Sequence, residues 1–378
     1  MQKPKRYSKA SASLFVLLFA AGLLVGGLAS FYINFQEINS LNDQVSVLQS
    51  QMSELKGSQN VTYQNITVFQ NSTALAAIYA NVRDSIVLVQ GTTDSESIQG
   101  SGFVYEFSNR MVVITNYHVV YGTTSLSVTF SNGNGYSATV LGTDPYADLA
   151  VLSVDAPASE FAPVDIVSSS TLRVGEPVIA IGNPYGLVGS LTTGVVSAVG
   201  RTITEDYAGG FAIANIIQTS TPINPGNSGG PLLNSVGNVV GITTAIVSES
   251  QGLGFAVPSN TILREISALV TAGTYRGHSY LGVSGQDMSY AIAQEMGASV
   301  TYGWRIATVT AGGPSDGKLH VDDIIIAMSG TAIRNNDDLA SYLEEETLPT
   351  QNLVLTVVRG DSRITVDVVL GTRPAPTT

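Results

Sequence analysis

A serine set between glycines carries the most chemistry in this sequence: Pro222-Ile223-Asn224-Pro225-Gly226-Asn227-Ser228-Gly229-Gly230-Pro231-Leu232. Glycines allow a tight turn whose backbone amides swing toward one point, where side chains would obstruct them. Acyl transfer through a tetrahedral intermediate needs such donors at its developing oxyanion, and the amides of Gly226 and Ser228 are the candidates. A serine hydroxyl is a weak nucleophile until a base takes its proton. Of the three histidines, His118, His278 and His320, only His118 stands in a strong pattern, within Val112-Val113-Ile114-Thr115-Asn116-Tyr117-His118-Val119-Val120. That run reads as a buried strand passing straight into a turn that carries the imidazole. Asp148 then opens the apolar run Leu149-Ala150-Val151-Leu152, a position that predicts burial. Asp144 is its rival, but it precedes Pro145, as turn residues often do.

The order His118, Asp148, Ser228 suits a triad. The histidine takes the serine proton, and the aspartate fixes the imidazole tautomer and steadies the imidazolium. This is the chymotrypsin-type order, not the Ser…Asp…His order of the α/β-hydrolases, and Gly-Asn-Ser-Gly-Gly lacks their G-x-S-x-G elbow. Any one of these segments alone reads as a turn, a structural histidine or a strand cap. The specificity lies in all three together.

Composition narrows the chemistry. The absence of cysteine excludes disulfides, thiol redox motifs and thiolate metal sites. The sequence shows no histidine–carboxylate cluster pointing to a metal and no G-x-x-x-x-G-K-[ST] loop for ATP, so no cofactor is expected. Charged residues are sparse, at 12%, and the formal net charge is −12. Lys3, Lys5, Arg6 and Lys9 precede every acid, so the remainder carries −16 and is a poor match for nucleic-acid phosphates.

Leu14 to Ile33 is an apolar run without charge, long enough at ~1.5 Å per residue to cross a ~30 Å hydrocarbon core. Its basic flank puts the N-terminus in the cytoplasm and the rest outside. A cleavable signal peptide is the alternative, with Leu28-Ala29-Ser30 as its processing site, although such apolar regions are usually only ~7–15 residues long. The expected organisation is a cytoplasmic basic tail (1–13) and a transmembrane helix (14–33). Next, Ile38, Leu41, Val45, Leu48, Met52 and Leu55 repeat as heptad a and d positions, which predicts an oligomer-supporting coiled-coil stalk over 36–57. The linker 58–73 packs three glycosylation sequons, at Asn60, Asn65 and Asn71.

From Ser85 to Val257 the chain is a series of short β-branched runs broken by Gly, Asn, Pro and Asp, from Ile86–Val89 through Leu149–Val154 to Val239–Thr243. Many short strands at this spacing predict a sandwich or barrels. Ser259 is expected to cap a closing helix with Ile262, Leu263, Ile266, Leu269 and Val270 on one face and Gly273 as its stop.

Thr115-Asn116-Tyr117-His118-Val119, Asp148–Leu152 and Asn224–Leu232 together resemble the signature of the HtrA (Deg) family of serine proteases. Ile179–Gly186 and Gly252–Ser259 extend the likeness, which runs from about Ala74 to Pro374. The resemblance implies a mainly β architecture: two six-stranded antiparallel β-barrels of chymotrypsin type over 74–272, with the triad between them. It also implies an α+β PDZ domain over 274–374. Tyr280-Leu281-Gly282-Val283 resembles the carboxylate-binding loop of that domain, and Asp322–Gly330 and the helix-like Asn336–Glu346 continue it. Such a loop offers amides to a chain terminus while the bound peptide adds a strand. Implied partners are unfolded or C-terminal peptide segments of substrate proteins and further copies of the chain, as a trimer. The heptad, with β-branched a positions and Leu at d, favours dimers instead.

The implied activity is degradation of misfolded or damaged extracytoplasmic proteins. Two rival readings share these features: a latent chaperone or peptide sensor, and a regulatory protease with one membrane substrate. Two departures stand out. Thr219-Ser220-Thr221-Pro222 replaces the family's Thr-Asp-Ala-Ala, and His320-Val321-Asp322-Asp323 replaces its Pro-Gly-Asp.

No acid lies between Ile213 and Asn234, so nothing there would attract Arg or Lys. Pro222 borders the expected substrate pocket, and the resemblance points Ile246 into it. A shallow apolar pocket for Val, Ala or Leu is expected. Ile246→Gly should shift cleavage toward larger side chains in a peptide library, and an unchanged cleavage profile would remove Ile246 from the pocket.

Overall fold

The computed structural model describes residues 72–94, 96–183, 189–205, 211–244 and 253–375. The expected transmembrane helix, stalk, sequons at Asn60, Asn65 and Asn71, and pocket residue Ile246 lie outside the described residues. No helix among the described residues is long and apolar enough to cross a membrane.

Strands β1 (Ile86–Thr92), β2 (Ser97–Phe107), β3 (Arg110–Thr115), β4 (Ser125–Thr129), β5 (Gly135–Asp144) and β6 (Leu149–Val154) close into an antiparallel barrel in the order β1-β2-β3-β6-β5-β4. A second barrel closes as β10-β11-β12-β9-β8-β7. Its strands are β7 (Pro177–Gly182), β8 (Ser190–Glu205), β9 (Phe211–Thr219), β10 (Pro231–Leu233), β11 (Val239–Thr244) and β12 (Gly254–Pro258). Closure leaves no unpaired strand edge.

Side chains alternate across each strand with period two, and here both faces are apolar. Val87, Val104, Val113, Ala150 and Leu152 fill the first barrel, and Val178, Ala180, Val196, Leu232 and Ala256 fill the second. The intervening residues, among them Ile86, Phe103, Ile114, Val151, Ile179, Ile181, Ile216 and Ile242, form one shared core between the barrels. That is why runs such as Val112–Ile114 and Val178–Ile181 are continuously apolar. A buried Phe such as Phe103 contributes about 3–5 kcal/mol relative to alanine.

Two helices complete the shared core. Helix α1 (Ser72–Val82) sets Leu75, Ile78, Tyr79 and Val82 against it. The expected linker therefore ends two residues early, because this spacing of three and four lets the segment fold onto the barrels as a helix. A single turn, α2 (Tyr117–Val120), follows β3, and α3 (Ser259–Ala272) closes the second barrel. Ile262, Ile266 and Leu269 are buried as expected, but Leu263 is exposed. Ser259 is not the cap: it lies inside the first turn and its hydroxyl donates to the Val167 carbonyl at 2.5 Å. Gly273 ends the helix in the left-handed conformation, φ +78°.

The remaining chain builds a separate sheet. Strands β14 (Val283–Asp287), β15 (Trp304–Val309), β16 (Ile324–Met328), β18 (Asn352–Arg359) and β19 (Ser362–Val369) lie side by side in that order, with β17 (Thr331–Ala332) on β16. Two short strands, β13 (Ser279–Tyr280) and β20 (Gly371–Thr372), pair with each other. Helices α4 (Tyr290–Met296) and α5 (Asn336–Glu346) complete the unit, and the Asn335 side chain caps α5 by accepting from Asp338 N.

A buried ion network joins this unit to the barrels. His278 Nδ1 lies 3.0 Å from a Glu344 carboxylate oxygen of α5, and Nε2 pairs with Asp144 at the end of β5. Arg264 of α3 pairs with Glu344 and, at 2.9 Å, with Glu265. Tyr275 and Tyr146 stack edge-on against the imidazole, and the Arg373 guanidinium covers the Tyr146 ring. The sequence alone shows no histidine–carboxylate cluster, yet the fold gathers Asp144, Glu265 and His278 within 4.8 Å of one another. Both imidazole nitrogens face carboxylates, so the ring is held as a doubly protonated cation rather than as a metal ligand.

Burial opposes that charge, but hydrogen bonds to Asp144 and Glu344 outweigh it and push the His278 pKa up to about 10. Burial likewise opposes the Glu344 charge, and His278 and Arg264 overcome it to hold the carboxyl at about 2. Glu265 is raised, first by burial and then by Asp144. The histidine's folded pKa lies above its unfolded value of 6.5, so its contribution is complete below pH 6.5 and is lost as pH rises toward 10. The Glu344 contribution is complete above pH 4.5 and lost as pH falls toward 2. Thermal melts should therefore show declining stability above pH 6.5. His278→Ala should cost about 3–5 kcal/mol, because it strands buried carboxylates, and should flatten that alkaline decline. An equally steep decline in the variant would assign it elsewhere.

Candidate active site

Asp148 is wholly buried immediately before β6, in the left-handed conformation at φ +49°. Its carbonyl accepts from Asn116 Nδ2 at 2.9 Å and from the Tyr117 amide at 3.1 Å, which ties it to the start of α2. The carboxylate thus meets the next residue of that turn. Oδ1 accepts from the His118 amide at 3.0 Å, and Oδ2 lies 2.9 Å from His118 Nδ1. Thr244 Oγ1, at the end of β11 in the other barrel, donates to Oδ2 at 3.0 Å. Charge-assisted bonds of this kind compensate the burial of an ionised carboxylate. They also place the imidazole proton on Nδ1, which leaves the Nε2 lone pair on the ring's opposite edge. The His118 side chain is 18% exposed.

The serine turn is built on β11. The Asn227 carbonyl accepts from Gly230 N at 2.9 Å and from Thr243 Oγ1 at 2.6 Å, so it points into the protein. In a trans peptide the amide hydrogen points opposite to the carbonyl, so the Ser228 N–H is turned outward. The neighbouring Asn227 and Gly229 amides are committed inward, to Asn224 O and Thr243 O, each at 2.9 Å. Gly226 and Gly229 have φ of +99° and +85°. A Cβ on Gly229 would lie 2.1 Å from Ser101 O and 2.4 Å from Thr115 Oγ1, so only glycine fits.

Gly100 of β2 is where the two parts meet. A Cβ there would touch Val119, which follows His118, at 2.7 Å, and the Ser228 carbonyl at 3.1 Å. The Ser101 amide donates to that same Ser228 carbonyl at 2.7 Å. The turn bearing Ser228 therefore abuts the loop bearing His118 across the seam between the barrels.

The structure thus brings His118 and Asp148 into direct contact and sets Gly226 and Ser228 on the adjoining turn. Burial does not separate Asp148 from its rival, since Asp144 is buried too; the difference is the partner, His118 for one and His278 for the other. Pro222 is exposed, with its carbonyl accepting from Thr192 Oγ1 at 3.0 Å. Tyr280, Leu281, Gly282 and Val283 form the corner between β13 and β14. There Leu281 is buried, Gly282 has φ +76°, and the Gly282 carbonyl accepts from Thr310 N at 2.9 Å.

Sequence reasoning passed over Ser101, Thr243 and Thr244, all almost wholly buried. Their signal was present: hydroxyls inside otherwise apolar strands need partners.

Two closed six-stranded antiparallel barrels define the chymotrypsin-like fold. Residues 100–242 match the family model described as a trypsin-like peptidase domain. Protease Do-like 1, chloroplastic, of Arabidopsis thaliana is 37% identical over 291 residues, covering 73% of this chain and 64% of the relative. The Synechocystis relative HhoA is 35% identical over 279 residues, covering 71% of this chain and 70% of its own. Among solved structures, the HtrA-type protease AlgW with tripeptide superposes with a TM-score of 0.65 at 29% identity, over 80% of this chain and 98% of that one. The chain belongs to the HtrA family of serine proteases. It spans just under two thirds of the Arabidopsis relative's length.

Removing the Thr244 hydroxyl withdraws one donor from the buried Asp148 carboxylate. Thr244→Val should lower stability by about 1–3 kcal/mol, read from denaturant midpoints, and Thr244→Ser should restore most of the loss. A wild-type midpoint for Thr244→Val would mean the bond contributes nothing.

Proposed function

We propose that the chain is a serine endopeptidase of the HtrA type that degrades misfolded or damaged extracytoplasmic proteins. The observation that carries this reading is the buried Asp148 carboxylate, which grips His118 through both its amide and its Nδ1 beside the glycine turn of Ser228. In the proposed mechanism Ser228 Oγ attacks the scissile carbonyl while His118 Nε2 takes the hydroxyl proton. Asp148 stabilises the resulting imidazolium without itself taking a proton. The carbonyl oxygen, now an alkoxide, lies against the Gly226 and Ser228 amides. His118 then gives the proton to the leaving amine, and the acyl-serine ester that remains is hydrolysed by water with His118 again as base.

Relatives from Chlamydia and Pseudomonas are named as periplasmic serine endoproteases, which supports action outside the cytoplasm. In this reading residues 14–33 anchor the chain, 36–57 form a stalk that assembles it into a homo-oligomer, and 74–272 form the peptidase. Residues 274–374 act as a PDZ domain, with Tyr280-Leu281-Gly282-Val283 receiving a peptide C-terminus by strand addition. Solved structures of AlgW carry a tripeptide and a decapeptide, which supports peptide ligands for this architecture. The substrate pocket in this reading is apolar and bordered by Ile246 and Pro222.

The full chain and its Ser228→Ala variant, incubated with a fluorophosphonate probe and an unfolded protein, provide the test. Labelling and cleavage by the first alone are expected. A folded wild-type chain that neither labels nor cleaves would overturn the reading in favour of a latent chaperone or peptide sensor.

A further inference from the structure

The oxyanion turn sits on the second barrel, yet two of its carbonyls are held from the first. Ser101 of β2 is wholly buried, and both capacities of its hydroxyl are used. It donates to the Gly226 carbonyl at 2.6 Å and accepts from the Asn183 amide, just beyond β7, at 2.8 Å. Its backbone is equally committed: the amide donates to the Ser228 carbonyl at 2.7 Å, and the carbonyl accepts from Thr115 Oγ1 at 2.7 Å. One residue of the first barrel therefore binds the carbonyls on both sides of Asn227.

The Ser228 amide, one of the two proposed for the oxyanion, is set from both barrels. The Ser228 amide belongs to the peptide whose carbonyl is held within the second barrel, by Thr243 Oγ1 and Gly230 N. Gly226 sits at φ +99°, where glycine rotates at little energetic cost. The Gly226 carbonyl belongs to the Gly226–Asn227 peptide, so the bond from Ser101 opposes a rotation at Gly226 that would displace this peptide and, through it, the next one, which carries the Ser228 amide. Apolar packing explains nothing about this side chain, since a hydroxyl in an apolar strand is unfavourable unless bonded.

We infer that Ser101 is a positioning residue for the oxyanion site: its hydroxyl and amide hold the Gly226 and Ser228 carbonyls, one on either side of the peptide that carries the Ser228 amide, so that this donor is fixed only when the two barrels are docked. The inference rests on the peptidase reading and deepens it. It also assigns a task to the seam itself, because a change in barrel packing would reach the serine turn through Ser101 as it reaches Asp148 through Thr244.

Steady-state cleavage of a fluorogenic peptide by the full chain tests this, comparing wild type with Ser101→Ala. Loss of one oxyanion donor elsewhere lowers kcat by about 100- to 1000-fold, so partial misplacement should lower it by roughly 10- to 100-fold. KM should stay within about threefold, and fluorophosphonate labelling should slow in parallel with kcat. The pH profile set by His118 should not move, which separates misplacement of the turn from general damage to the site. Gly226→Ala, strained at this φ, should shift the same carbonyl away from the Ser101 hydroxyl. The double variant should then lose no more than the larger single loss, because both act on one peptide.

Unchanged kcat in Ser101→Ala, a shifted pH profile, or losses that add in the double variant would overturn the inference. Should the alanine variant fail to fold, Ser101→Cys, similar in size with a weaker donor, carries the same comparison: lowered kcat supports the inference and wild-type kcat overturns it. A wild-type chain without activity would instead overturn the peptidase reading on which the inference rests.

Discussion

A carboxylate taken wholly out of water must be met by donors or it will not stay ionised. Asp148 is met by three groups: the His118 amide, the His118 ring and the Thr244 hydroxyl. The first two come from the turn after β3, and the third comes from β11 of the other barrel. The aspartate itself adopts a left-handed conformation that L-residues rarely take. Such strain persists only where surrounding bonds over-determine it, and here its carbonyl, bound by Asn116 and Tyr117, supplies them. The histidine's orientation, its tautomer and the local docking of the two barrels all follow from satisfying this one group.

The barrels are shaped for that docking. Each has its own apolar interior, and the alternate faces of the same strands make a third core between them. A seam of this kind is rigid at the level of single methylenes, which is the precision a catalytic arrangement requires. Where backbone must approach backbone, glycine stands: Gly100 against the Ser228 carbonyl, and Gly229 against Ser101 and Thr115. The buried hydroxyls of Ser101, Thr243 and Thr244 then turn contact into orientation. Packing brings the two halves together, and hydrogen bonds set their angles.

Legibility in the sequence followed this division. The strands were readable because β-branched runs at this spacing have few other uses, and His118, Asp148 and Ser228 were readable because each ends or begins such a run. Helix α1 is not, because its apolar spacing, from Leu75 to Val82, spans only about two turns and the sequon Asn71–Thr73 overlaps its start. Ser259 misled because a serine before an apolar face is a usual cap; the fold spends its hydroxyl on Val167 instead. Asp144, His278 and Glu344 lie far apart in the chain, so no local pattern could announce a network that exists only after the C-terminal sheet packs on the barrels. Ile246 falls outside the described residues, so the pocket depends on resemblance alone.

The two departures from the family pattern have local physical accounts. Asp322, within the departing segment His320–Asp323, takes φ +73°, a conformation that aspartate tolerates better than most side chains. Arg305 pairs with its carboxylate at 2.6 Å, which offsets part of that strain. Upstream of Ser228, the hydroxyl-rich Thr219-Ser220-Thr221 is tied to β8: Thr219 Oγ1 donates to Val195 O at 2.8 Å, and Ser220 Oγ accepts from Val195 N at 3.0 Å. Thr221 N packs so close to Gly194 that a Cβ there would lie 2.3 Å away. Pro222 has no amide hydrogen to donate, but its carbonyl continues the tie to β8 by accepting from Thr192 Oγ1 at 3.0 Å. The segment is therefore not a loosened version of the family sequence. It fixes the approach to Ser228 by side-chain hydroxyls bonded to a strand of the same barrel, so the turn's base is held from within the second barrel and its tip, through Ser101, from the first.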